Sequence, residues 1–114
     1  MAKRKVRLPH WYYCEVYRVN VYYFLGWDWE EFKDFILKQT KYEVDKDEAP
    51  DGFTVALKGN LYVWTRDKTQ MHIYGHECLH ACNFILDKAG VRADFSNDEA
   101  QAYLLTNIML QGLK

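Results

Sequence analysis

The apolar positions change period along the chain. From Tyr12 to Phe24 the residues are dense in Tyr, Val and Phe, and Tyr17, Val19, Val21 and Tyr23 alternate with Arg18, Asn20 and Tyr22. A period of two puts alternate side chains on the same side of a strand, so this segment reads as one strand with a buried face. From Trp29 the period lengthens. Trp29, Phe32, Phe35 and Ile36 share one face of a helix predicted over about Trp29–Gln39. Asp28 and Glu31 stand as a capping box before it, and Trp27 and Phe32 stand as a hydrophobic staple.

Residues 41–52 are charged and close on Ala49-Pro50-Asp51-Gly52, a turn signal. Two short strand-like runs follow, Phe53–Leu57 and Leu61–Arg66, with Lys58-Gly59-Asn60 between them. Gly-Asn suits a tight hairpin turn. A helix is predicted from about Lys68 to Lys88, with Gly90 as its stop. A loop of residues 90–96 leads to a last helix over about Asn97–Leu110. The order strand, helix, hairpin, helix, helix predicts an α+β fold. A small antiparallel or mixed sheet of about three strands is expected to pack on three helices.

Length and composition narrow this without changing it. The chain has 114 residues, which suits a single domain over 1–114. Aromatic residues reach 17%, enough to build a core of large rings in a short chain. The net charge of -1 gives no support for a nucleic-acid partner. The basic run Met1-Ala2-Lys3-Arg4-Lys5 reads as part of a flexible, solvated tail over residues 1–8. No long apolar stretch follows it, so neither a secretory signal nor a membrane partner is expected. Cys14, Cys78 and Cys82 are an odd set, which argues against a disulfide framework and for the cytoplasm.

The candidate chemistry lies in His76-Glu77-Cys78-Leu79-His80. Residues four apart on a helix stack on one face, so His76 and His80 can offer two imidazoles to one metal ion. Glu77 sits about 100° around the helix from His76, placed to serve a water at the metal rather than to bind it. Met71, Gly75, Cys78, Cys82 and Ile85 are spaced 4, 3, 4 and 3, an apolar stripe roughly opposite the histidines. The cysteines on that stripe read as core residues. A catalytic zinc commonly takes three protein ligands. Asp94, Asp98 and Glu99 are the nearby downstream carboxylates, with Glu99 the first choice and Asp98 the reserve. Ser96-Asn97-Asp98-Glu99 is also a capping box, which gives Glu99 a competing structural role.

An HExxH motif followed on a second helix by a glutamate resembles the gluzincin branch of the zincin metallopeptidases. The short chain is most similar to the minimal gluzincins and to short zincin-like proteins of phages and prokaryotes. The match covers about residues 72–107. The resemblance implies zinc held by His76, His80 and Glu99, with Glu77 as general base. It implies an edge strand above the cleft that pairs with an extended peptide, for which Leu61–Thr65 is the expected segment, with Tyr62, Val63 and Trp64 as contacts. Many gluzincins carry an aspartate four residues after the glutamate ligand. Here Tyr103 stands there, and its hydroxyl is a candidate donor to a ligand or to the reaction oxyanion. His72, Tyr74 and His10 are further donor candidates.

The function expected is zinc-dependent hydrolysis of peptide bonds in the cytoplasm, the host cytoplasm if a phage encodes the chain. Zinc would bring the pKa of its water to about 7, and Glu77 would take the proton and pass it to the leaving amine. The alternative is a zincin-scaffold binding or regulatory protein that holds zinc without efficient turnover, inactive or latent. In its self-blocked form, residues near Gln111–Lys114 fill the cleft.

Overall fold

The computed structural model describes residues 7–96 and 98–114. Lys3, Arg4 and Lys5 of the expected tail therefore lie outside the described residues. The stretch predicted as one strand folds back on itself. Strand β1 runs His10–Cys14 and strand β2 runs Val19–Leu25, paired antiparallel with Tyr12 opposite Val21. The reversal uses Arg18 at φ 55°, a left-handed residue without the usual Gly or Pro punctuation. Helix α1 follows at Trp29–Thr40, and Asp28 accepts from the backbone of both Glu30 and Glu31. Glu31 does not complete a capping box. Its carboxylate is 3.0 Å from Arg7, whose guanidinium also lies over the Trp27 ring.

Strands β3, Gly52–Leu57, and β4, Asn60–Thr65, form the expected hairpin. Its two-residue loop has Lys58 at φ 52° and Gly59 at φ 80°, the double positive φ of a type I′ turn. Strand β4 then pairs parallel to β2, with Tyr23 opposite Val63. Among the described residues the sheet is four-stranded and mixed, ordered β1-β2-β4-β3. The α+β class holds, with one strand more than expected.

Helix α2 spans Met71–Lys88. It starts three residues later than predicted because Asp67 accepts from the amide and hydroxyl of Thr69, closing a local turn first. It ends as predicted at Gly90, φ 74°. The Val91 amide reaches Leu86 O and the Gly90 amide reaches Asp87 O, a Schellman stop. Helix α3 spans Glu99–Gly112.

The sheet divides two cores. On one face Phe24, Tyr62 and Trp64 pack with Trp27, Trp29, Phe32 and Ile36 of the α1 layer. On the other Val19, Val21, Tyr23, Leu61 and Val63 pack with Cys78, Ala81, Cys82 and Ile85 of α2 and Leu104 and Ile108 of α3. The alternation read along β2 is real, but both of its faces are covered. No described helix is long and apolar enough to cross a membrane.

Candidate metal centre

Helix α2 divides its residues by face. Tyr74, Cys78, Ala81, Cys82 and Ile85 are buried, whereas His72, His76 and His80 are exposed. The predicted stripe is buried at Cys78, Cys82 and Ile85, but its first residue, Met71, is exposed because it opens the helix. Burial in apolar surroundings pushes the Cys78 thiol up to about 12 and the Cys82 thiol up to about 11. Both are therefore inert core thiols at neutral pH.

The exposed histidines converge. Their Nε2 atoms are 3.1 Å apart and their rings are nearly perpendicular. Two nitrogens bound tetrahedrally to zinc at about 2.0–2.1 Å would stand about 3.3–3.4 Å apart, so the pair fits a zinc ion with little adjustment. A ligand pair needs both nitrogens bare, whereas a hydrogen bond between them needs one protonated.

Glu77 turns from the histidine face toward β3 and is only 6% exposed. Thr54 Oγ1 donates to Glu77 Oε1 at 2.7 Å, and the same hydroxyl lies 3.1 Å from the Glu77 carbonyl oxygen. A Cβ built on Gly52 would stand 2.7 Å from both Cγ and Oε2 of Glu77. Glu77 is therefore seated under β3. Sequence reasoning missed Thr54 and Gly52. Their signal was the alternation Gly52, Thr54, Ala56, small residues on the strand face turned to α2, which marks close approach by another element.

Helices α2 and α3 run antiparallel. Cys82 Sγ lies 3.5 Å from Gln101 O, and Gly75 faces Met109. Extending that pairing sets His80 level with Tyr103 and His76 level with Asn107, while Glu99 is level with Phe84, one turn past His80. Among the described residues no three His, Cys, Asp or Glu side chains are grouped to hold a metal. The structure thus brings His76 and His80 together and leaves Glu99 exposed at the first turn of α3. The capping-box role is absent as well. Asp98 is the N-cap and makes no side-chain cap bond, and Ser96 bonds Asp94 instead.

The remaining candidates are placed elsewhere. Tyr62, Val63 and Trp64 lie in β4, an interior strand paired with β2 on one side and β3 on the other, and all three are buried. They cannot accept a further strand, because their backbone groups already serve two neighbours. Beside α2, the free edge is β3. Tyr103 shares its face of α3 with Asn107, four residues on, which bonds Tyr12 of β1. That face is turned away from α2. Tyr74 donates to Met109 O, and the His10 ring nitrogen lies 2.7 Å from Gln111 O, so both are committed to the end of α3. His72 stays exposed one turn before His76. The C-terminal residues dock at His10, with Gly112 against Tyr74 and Tyr23 on the core side of α2, not over the histidines.

No protein family, curated protein or solved structure matches this chain.

Proposed function

We propose that the chain is a zinc-dependent metallopeptidase of the gluzincin kind. The observation that carries this reading is the pair of Nε2 atoms 3.1 Å apart on the exposed face of α2. His76 and His80 are the proposed zinc ligands, and Glu99 the third. When bound, zinc supplies a Lewis acid and a water acidified toward neutral pH. Glu77 would be the proton carrier of the site, its carboxylate taking a proton from the attacking water and passing it to the leaving amine. The substrate is an extended peptide that adds to the free edge of β3, which runs beside α2. This places the peptide-binding edge one strand out from Tyr62–Trp64.

The test is metal content and turnover together. Protein purified without added metal is expected to carry about one zinc, and His76→Ala or His80→Ala to lose it. Glu99→Ala is expected to weaken zinc binding less than loss of either histidine. Glu77→Gln is expected to retain zinc and to lose cleavage of a peptide library by about 10²–10⁴-fold. Equal cleavage by Glu77→Gln and wild type overturns the mechanism. Zinc binding with no cleavage at all favours the zincin-scaffold binding protein instead.

A further inference from the structure

We infer that Thr54 is a positioning residue for Glu77, and that Gly52 and Thr54 make β3 the strand that orients the base as well as the edge that receives substrate. This inference rests on the peptidase reading of Glu77.

A glutamate side chain has three rotatable bonds, and its last torsion is broad. Burial alone does not choose which oxygen faces the reacting water. Here the choice is made by β3. Thr54 Oγ1 has one proton and two acceptors in reach, and the 2.7 Å contact to Oε1 is shorter than the 3.1 Å contact to the Glu77 carbonyl. Hydrogen bonds to a carboxylate are the stronger kind, so the proton belongs mainly to Oε1. Threonine is β-branched and stiff at χ1, so the hydroxyl is presented from a fixed place on the strand. Gly52 completes the seat by leaving room for Oε2 where any Cβ would collide with it and with Ile73 Cγ2. Oε2 takes no hydrogen bond from another described residue.

The arrangement ties the peptide-binding edge to the base through one residue. The backbone of Thr54 pairs with Val63 across the hairpin, and its side chain holds Glu77.

The experiment compares Thr54→Val, Thr54→Ser and wild type, all zinc-loaded, on a peptide that wild type cleaves. Thr54→Val keeps the shape and removes the donor. It is expected to lower kcat about 10- to 100-fold, the scale of a misplaced catalytic group, with KM nearly unchanged. Thr54→Ser, which restores the hydroxyl, is expected to recover most of that loss. Unchanged kcat in Thr54→Val overturns the inference. So does an equal loss in the valine and serine variants that follows their thermal stability. A second measurement needs neither metal nor substrate. In metal-free wild type, NMR is expected to show a slowly exchanging Thr54 hydroxyl proton with cross-peaks to the Glu77 side chain, and their absence overturns the tether. If wild type cleaves no peptide, the peptidase reading fails, and the NMR result still decides the tether.

Discussion

The two faces of the sheet are built from different materials. Against α1, Phe24 meets Trp27, Phe32 and Phe35 edge-on, and Trp29 lies 4.7 Å from Trp64 between ring centroids. Against α2 and α3, the sheet offers Val19, Val21, Leu61 and Val63, and beside the aliphatic Ile85, Leu104 and Ile108 the partners include small or polar groups: Ala81, Cys78, Cys82, Tyr74 and the buried Glu77. Interlocked rings bury large areas and leave one tight arrangement. Small residues let the helices approach, and hydroxyl groups then fix where they stop. The α1 side stabilises the fold, and the α2 side carries the proposed site, so substitutions on the two sides should report on different properties.

The largest effect is expected on the α1 side. Trp64 is fully buried, and its indole donates to Trp27 O at 2.9 Å. Trp64→Ala should cost about 3–5 kcal/mol in denaturant unfolding. The folded fraction should keep its zinc content, since Trp64 faces away from α2. Loss of zinc at unchanged stability would break the division between the faces. On the other side, Gly112 is the contact that seats the end of α3. A Cβ there would collide with Tyr74 Oη and the Tyr23 ring. Those two tyrosines donate to Met109 O and Ile108 O, carbonyls near the end of α3. Gly112→Ala should cost about 1–3 kcal/mol and shift α3 along α2. Since α3 carries Glu99, zinc affinity should fall with it. A variant that loses stability but keeps its affinity would detach Glu99 from the metal.

The faces also differ in how far the sequence disclosed them. Helix α1, the β3–β4 hairpin and the stop at Gly90 were legible because each depends on local chemistry: Asp28 before an apolar face, Gly59 in a two-residue loop, glycine after the last turn. The break between β1 and β2 was not legible, because Arg18 adopts φ 55° without glycine or proline to announce it. The parallel pairing of β2 with β4 joins segments forty residues apart, and no local pattern encodes such a contact. That pairing buried Tyr62–Trp64 and passed the free edge to β3. At the site, the i, i+4 spacing was enough to bring the histidines together. The spacing put Glu77 about 100° around the helix from His76, and only the tertiary position of Gly52 and Thr54 shows that it is seated.

A smaller effect should separate the faces by pH. Burial pushes Cys78 from 9.0 to about 12 and Cys82 to about 11, and it raises the phenols of Tyr23 and Tyr74 in the same sense. These groups are held neutral in the folded chain and ionise more easily when it unfolds. The thiol contribution is fully present below about pH 9 and is lost as pH rises toward 12, and the phenols follow from about pH 10 upward. All four lie on the α2 side. Unfolding free energy should fall by on the order of 1 kcal/mol by pH 10 from Cys78 alone. Alkylation by a thiol reagent should grow in step with that loss. A flat stability profile from pH 7 to 10 would show that this face is wetter than its packing indicates.

The smallest effect concerns how the helices begin. Asp28 accepts from the amides of Glu30 and Glu31 at 3.1 and 3.3 Å, satisfying donors that α1 cannot use internally. Helix α3 starts at Asp98 with no such bond, although the residue type is the same. The difference lies in the backbone. Asp28 has φ -58° and ψ 139°, the extended entry that aims the side chain back at the amides, whereas Asp98 has φ -111° and ψ 2°. Asp28→Ala should therefore cost about 1 kcal/mol, and Asp98→Ala no more than a few tenths, from the helix dipole alone. Zinc makes the comparison sharper. If metal draws Glu99 toward His80, the first turn of α3 must tighten, and Asp98 then gains the cap geometry that Asp28 already has. The cost of Asp98→Ala should rise in zinc-loaded protein while that of Asp28→Ala stays fixed. Equal costs with and without zinc would show that the start of α3 does not respond to the metal, and would count against Glu99 as its third ligand.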